Sequence, residues 1–176
     1  LDFAPTNPLW FNSDDEVTLD VDVKNVPNLL VKVFEINALN YFRTQNTEVD
    51  TNISLDGLVA NNEQTYKYDE PALRRVRRRF EFPELKKPGI YVVDFIGNGK
   101  NSRVVVRKGK LNYLVRLGTA GHVFTVLDDN NRHIADATLW MKGRAYQADK
   151  DGTILVPYST QPTTESIVLS KGDWAS

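Results

Sequence analysis

Residues His122 to Ser159 read HVFTVLDDNNRHIADATLWMKGRAYQADKDGTILVPYS. Val123, Thr125 and Leu127 alternate with their neighbours until Asp128-Asp129-Asn130-Asn131 halts the run, and Ile134 to Met141 carries a second apolar-polar run that Lys142-Gly143 ends. Asp149-Lys150-Asp151-Gly152 then turns the chain into Thr153-Ile154-Leu155-Val156, which Pro157 stops. A side-chain period of two, with Asn, Asp and Gly between the runs, predicts short strands joined by tight turns. Reactive residue types are sparse here, which favours a binding or scaffolding module over an enzyme.

Working outward, Glu16 to Val23 (EVTLDVDV) puts Val17, Leu19, Val21 and Val23 on one strand face and mostly acidic or polar residues on the other. Leu29 to Ile36 (LLVKVFEI) reads as a second strand, and Asn37 to Phe42 as one short helical turn. Arg43 to Glu70 is rich in Asn, Asp and Thr, a long excursion with one strand expected around Thr65 to Tyr68. Val76 to Phe82 predicts a strand, and Gly89 to Ile96, Gly97-Asn98-Gly99-Lys100 and Ser102 to Val106 predict a hairpin. The polar stretch Lys108 to Asn112 marks a boundary near residue 110, and Tyr113 to Leu117 opens the next unit. The expectation is an all-β chain of two consecutive antiparallel β-sandwich domains, immunoglobulin-like and prealbumin-like in style, over residues 1–110 and 111–176.

Composition narrows the function classes. Of 176 residues 41% are hydrophobic and 26% charged, which is ordinary for a folded globular chain. Up to Lys110 there are 16 basic and 16 acidic residues, and after it 6 and 7, so neither half is a cationic field and nucleic acid is not an expected partner. The absence of cysteine excludes disulfides, cysteine nucleophiles and thiolate metal sites. No apolar run reaches the roughly 18 residues that span a bilayer, so membrane insertion is not expected, and LDFAPTNPLWF at the start lacks the pattern of a signal peptide. The chain reads as a piece of something longer.

The sharpest charge feature is Arg74-Arg75-Val76-Arg77-Arg78-Arg79. In a strand Arg75, Arg77 and Arg79 share one face, where guanidinium groups suit an anionic glycan, an acidic protein surface or a phosphate-rich polymer. They equally suit pairing with Glu70, Glu81, Glu84 and the acidic strand Asp14 to Asp22, guarding an edge against aggregation, and the balanced charge of this half weighs towards pairing. Gly97-Asn98-Gly99-Lys100 lacks the spacing of a phosphate loop and reads as a turn, and Asp149-Lys150-Asp151-Gly152 lacks the further ligands of a calcium loop. His122 and His133, with Asp128 or Asp136 as third donor, fall short of a zinc signature, and no Gly-x-Ser-x-Gly elbow occurs. Trp10, Trp140 and Trp174, with Tyr41, Phe42, Tyr66, Tyr68 and Tyr158, suit core packing more than sugar stacking. Asn52-Ile53-Ser54 matches the N-glycosylation sequon. No catalytic residue, metal or cofactor is expected.

Two family resemblances sit on these phrases. DDNNRHIADATLWMKG followed by YQADKDGTILVP resembles the carboxypeptidase-regulatory or prealbumin-like sandwich module, in which a strand, a turn and "pl.gA.v.l" precede "t..dG.f.l". VDVKNVPNLLVKVFEIN, FEFPELKKPGIYVVDFIGNGKNSRVVVRKG and ILVPYS resemble macroglobulin-type domains of the α2-macroglobulin superfamily. That family's Cys-Gly-Glu-Gln thioester is missing, so this chain does not itself trap a protease covalently.

What the resemblance implies is a non-catalytic structural and protein-interaction segment of a larger, exported macroglobulin-like protein, extracellular or in the cell envelope. Its partners would be the neighbouring domains of the parent chain and a protein partner, met through Thr44 to Glu70 and the arginine strand. The alternatives are a glycan- or polyanion-binding adhesin module and an accessory domain of a secreted hydrolase.

Overall fold

A computed structural model describes residues 1–161 and 164–176. The chain forms two compact units, one of residues 1–36 and 49–108, the other of residues 37–48 and 109–176. Both are antiparallel β-sandwiches, as the alternating patterns predict.

The first unit holds β1 (Asp2–Phe3), β2 (Trp10–Phe11), β3 (Thr18–Lys24), β4 (Asn28–Ile36), β5 (Asn62–Lys67), β6 (Arg75–Glu81), β7 (Gly89–Gly97) and β8 (Lys100–Lys108). One sheet has the order β1-β3-β6 and the other β2-β8-β7-β4-β5, where the two-residue β2 is parallel to β8. Between them lie Leu19, Val21 and Val23 of β3, Leu29, Val31 and Val33 of β4, Phe80 of β6 and Val93 and Phe95 of β7. Removing one such side chain from water contributes about 1.5–3 kcal/mol, so a period-two strand is fixed in register by its buried face. Edge-to-face ring contacts link Phe3 to Phe95 at 5.4 Å, Phe95 to Phe80 at 5.0 Å and Phe80 to Tyr66 at 5.2 Å. The β7–β8 hairpin turns at Asn98 (φ 49°) and Gly99 (φ 70°), the two left-handed residues that a type I′ turn demands.

The first part of the long excursion is fastened to β8. Val49 and Ile53 are buried, and their carbonyls accept hydrogen bonds from Arg107 (2.8 Å) and Arg103 (2.9 Å) of β8. Those arginines share the outer sheet face with Asp94, which stands opposite Arg103 in register.

The second unit holds α1 (Ala38–Gln45), β9 (Asn112–Leu117), β10 (Gly121–Leu127), β11 (Thr138–Met141), β12 (Arg144–Gln147), β13 (Thr153–Pro157), β14 (Val168–Lys171) and β15 (Trp174–Ala175). Its sheets are β13-β10-β9 and β12-β11-β14-β15, closed on Val126, Leu139, Ile154, Val156 and Leu169. The expected helical turn is a two-turn helix: Asn37 caps it by accepting the N–H of Asn40 at 2.9 Å, and Asn46 ends it at φ 53°. The helix packs on β15, and Arg43 lies over Trp140 at 4.3 Å from the ring centroid. Along β10 the core takes Phe124 and Val126, whereas Val123, Thr125 and Leu127 stand on the opposite face. Both parities of that strand are apolar, so alternation alone does not choose a face. Pairing of Phe124 with buried Ile154 does.

Gly121 is a position where glycine is obligatory. A Cβ built there would lie 2.2 Å from the Val156 carbonyl oxygen and 2.8 Å from the Pro157 Cα, at φ 156°. Gly57 is also left-handed (φ 81°) but has open space around it. Gly121→Ala should therefore cost roughly 2–3 kcal/mol through a backbone clash, and Gly57→Ala about 1 kcal/mol through dihedral strain alone. Urea denaturation of the two variants checks the order, and equal losses would contradict it.

Candidate interaction site on the arginine strand

β3 and β6 run antiparallel with Asp20 opposite Arg79, Asp22 opposite Arg77 and Lys24 opposite Arg75. Because Leu19, Val21 and Val23 face the core, Asp20 and Asp22 face outward, and the same alternation on β6 turns Arg75, Arg77 and Arg79 out beside them. The registers of β1, β3 and β6 thus place four acids (Asp2, Asp20, Asp22, Glu81) and four bases (Lys24, Arg75, Arg77, Arg79) on one sheet face.

The pairing is specific. Arg77 grips Asp22 in a two-pronged contact, Nε to Oδ1 at 2.9 Å and Nη2 to Oδ2 at 3.0 Å. Arg79 grips Asp20 likewise, with both contacts at 2.9 Å. Arg75 donates to Asp22 at 2.9 Å and lies 3.2 Å from Asp2 of β1. A planar guanidinium matches a carboxylate with two parallel N–H donors, which a lysine cannot reproduce. The carboxylates are the sheltered partners: the Asp22 side chain is 11% exposed, against 55%, 54% and 64% for Arg75, Arg77 and Arg79. Each guanidinium is therefore oriented by an aspartate, while its side chain still presents more than half of its surface.

Arg78 points the other way. It pairs with Glu70 and lies flat over Tyr68 at 3.7 Å, closing the rim where Tyr68 stacks beside Tyr66 at 6.4 Å. This arginine belongs to the packing of the sandwich edge.

Electrostatics follow the geometry. Hydrogen bonds from Arg77, then Arg75, hold the Asp22 carboxyl at about 2 against an opposing effect of desolvation, and Arg79 lowers that of Asp20. The matching hydrogen bonds raise Arg77 and Arg79.

The other sequence candidates separate from this face. Asp149 uses its carboxylate within its own turn, where Oδ1 accepts the N–H of Asp151 (3.0 Å) and of Thr153 (2.9 Å), and the Thr153 bond draws its pKa down. Asp128 likewise accepts from Asn130 and Arg132. His133 meets the Gly152 carbonyl at 2.9 Å, and His122 packs edge-on to Tyr158 at 5.1 Å. Among the described residues no three His, Cys, Asp or Glu side chains converge on a metal-sized site. Arg107 lies 5.6 Å from the Trp10 ring centroid, and Trp140 is under Arg43. Asn52 is exposed between the buried anchors Val49 and Ile53. Sequence reading missed the loop-tethering role of Arg103 and Arg107. Their alternation with Val104 and Val106 along β8 was the available signal.

Residues 29–109 match the family model of the AbpF first immunoglobulin-like domain. The chain is 40% identical over 171 residues to actin-binding protein F of Dictyostelium discoideum, an alignment that takes in 96% of this chain and 7% of that protein. The chain thus spans about one-fourteenth of the length of this curated relative. Among solved structures it resembles native alpha-2-macroglobulin from Escherichia coli spanning domains MG0-NIE-MG1, with a TM-score of 0.59 at 14% identity over 99% of this chain and 61% of that one. The NIE-MG1 piece of the same protein gives a TM-score of 0.57 at 13% identity, covering 99% and 93% of the two chains. At that identity the likeness concerns the fold, which is macroglobulin-like.

The Asp22 pairing predicts a particular acid response. The unfolded chain protonates this carboxyl near its ordinary value, about 4, and the folded chain only near 2, so its contribution is complete above about pH 4 and fades as pH falls towards 2. The stability difference between wild type and Asp22→Asn, from urea midpoints at pH 2 to 6, should level off above about pH 4 and shrink as the pH falls from there towards 2. A pH-independent difference would show that the pair does not operate in solution.

Proposed function

We propose that this chain is a non-catalytic structural and protein-interaction segment of a larger macroglobulin-like protein. The observation that carries the reading is the β3–β6 face, where the densest cluster of charge is devoted to strand pairing while its guanidinium groups stay exposed and oriented. A face with matched acids and bases suits a protein surface carrying complementary charges better than a uniform polyanion, whose phosphates or sulfates would meet Asp20, Asp22 and Glu81 as well. In this reading Arg75, Arg77 and Arg79 are partner-binding residues, and the excursion Thr44 to Glu70 is a second presented surface. The neighbouring domains of the parent chain are the first partners. In this reading residues 1–110, apart from the helical segment 37–48, act as the macroglobulin-like domain, and residues 111–176 together with that segment act as a carboxypeptidase-regulatory-like sandwich, in an extracellular or envelope setting.

The similarity to actin-binding protein F favours a second reading, in which the segment contributes to binding actin. Actin filaments lie inside cells, so the two readings differ in compartment as well as in partner.

Salt-dependent binding separates these readings. The segment reading expects at most weak retention of the purified chain on heparin and no sedimentation with actin filaments. It also expects a melting temperature that rises by several degrees when the next domain of the parent is attached, because a partner that binds only the folded state stabilises it. Retention on heparin that is salt-sensitive and lost in the triple variant Arg75→Ala, Arg77→Ala, Arg79→Ala would replace it with the polyanion reading. Saturable co-sedimentation with filaments would replace it with the actin reading.

A further inference from the structure

β9 (Asn112–Leu117) is an edge strand whose partner among the described residues is β10 alone. The Gly118 N–H donates to the Gly121 carbonyl at 2.8 Å, which makes 118 and 121 a hydrogen-bonded pair of this antiparallel ladder. Alternation then assigns the backbone groups of Leu114 and Arg116 to β10 and turns those of Tyr113, Val115 and Leu117 towards the open edge. The side chains are equally uncovered: Leu114 is 63% exposed, Val115 51% and Leu117 75%. Edge strands are ordinarily guarded by charge, proline or extreme shortness, because unpaired N–H and C=O groups beside apolar side chains recruit another strand. Here the guard is one residue, Arg116.

The two faces of β9 ask for different chemistry. On the side of Tyr113 and Val115 lies a mainly apolar groove of about 560 Å³, lined also by Phe124, Met141, Tyr158 and Ile167, with the Lys142–Glu165 ion pair on its wall. The opposite side carries Leu114 and Arg116, and Arg116 is exposed and has no acidic partner among the described residues. No acid occurs anywhere in β9.

We propose that the β9 edge is a strand-addition site for an extended segment of another polypeptide in which large apolar residues alternate with acidic ones. Its backbone continues the ladder at Tyr113, Val115 and Leu117, its apolar side chains enter the groove, and a carboxylate on the other face meets Arg116. Charge complementarity selects this occupant. A second copy of β9 would bring no acid, and two-fold pairing about Val115 would set each Arg116 opposite Leu114. This site is distinct from the arginine strand and does not depend on its role.

The test is a titration of the isotope-labelled 176-residue chain with the acetylated peptide EVTLDVDV, which copies the alternation of Glu16 to Val23, followed by backbone amide shifts. Saturable shifts at residues 112–117 are expected, with Arg116→Glu weakening the peptide by roughly tenfold or more, equivalent to about 1.4 kcal/mol. The charge-reversed peptide KVTLKVKV should regain affinity for Arg116→Glu. Val115→Pro removes an outward N–H and should abolish binding; should it fail to fold, the charge-swap arm still decides. Absence of shifts, shifts elsewhere, or equal binding by wild type and Arg116→Glu would overturn the proposal. So would sedimentation that finds a peptide-independent dimer dispersed by Leu114→Asp, since a second copy would then hold the edge.

Discussion

The organising constraint of the first unit is the two-sidedness of β3. Its valines and leucine cannot leave the core without exposing apolar area, and a pleated strand must then send Asp20 and Asp22 to the opposite face. Those carboxylates in turn decide where β6 lies. Sliding β6 by one residue would expose Phe80, turn Arg78 outward and separate Arg77 and Arg79 from their aspartates. Hydrophobic burial and ion pairing therefore specify the same register.

This coupling bears on what the arginines are for. A surface ion pair contributes little stability when it stands alone, but a two-pronged pair held by a strand ladder orients its members at little additional entropic cost. Arg75, Arg77 and Arg79 are thus structural residues first, and any partner meets them already aligned. The outer face of β8 uses the same residue type differently, since Arg103 and Arg107 bind carbonyls and so fasten the long excursion to the sheet. Arginine suits both tasks because its donors fan out in one plane while its stem packs on apolar neighbours.

The second unit has the opposite surface logic. Its turns are locally self-sufficient, with Asp128 and Asp149 each folding the chain around their own carboxylates, and Gly121 admits a backbone approach closed to any side chain. The sheet they support nevertheless leaves an apolar strand at its margin. In a segment similar to a small part of a far longer protein, the margins of a sandwich are natural places for other chain segments to dock.

Strand existence, the buried parity of β3, β4 and β6, and the turns at Gly97 to Lys100, Lys142-Gly143 and Asp149 to Gly152 were legible in the residues, because each depends on a period of two or on a positive φ that few residue types tolerate. The common face of Arg75, Arg77 and Arg79 was legible for the same reason. Their partners were not: acids at 20, 22, 70, 81 and 84 were all available by composition, and the choice of Asp20 and Asp22 required the alignment of strands more than fifty residues apart. The core face of β10 and the burial of Val49 and Ile53 also emerged only in three dimensions, where neighbouring strands and arginines select among locally equivalent options. Local dihedral and periodic constraints are written in the order of residues, whereas pairings across long separations depend on which surfaces the whole chain brings together.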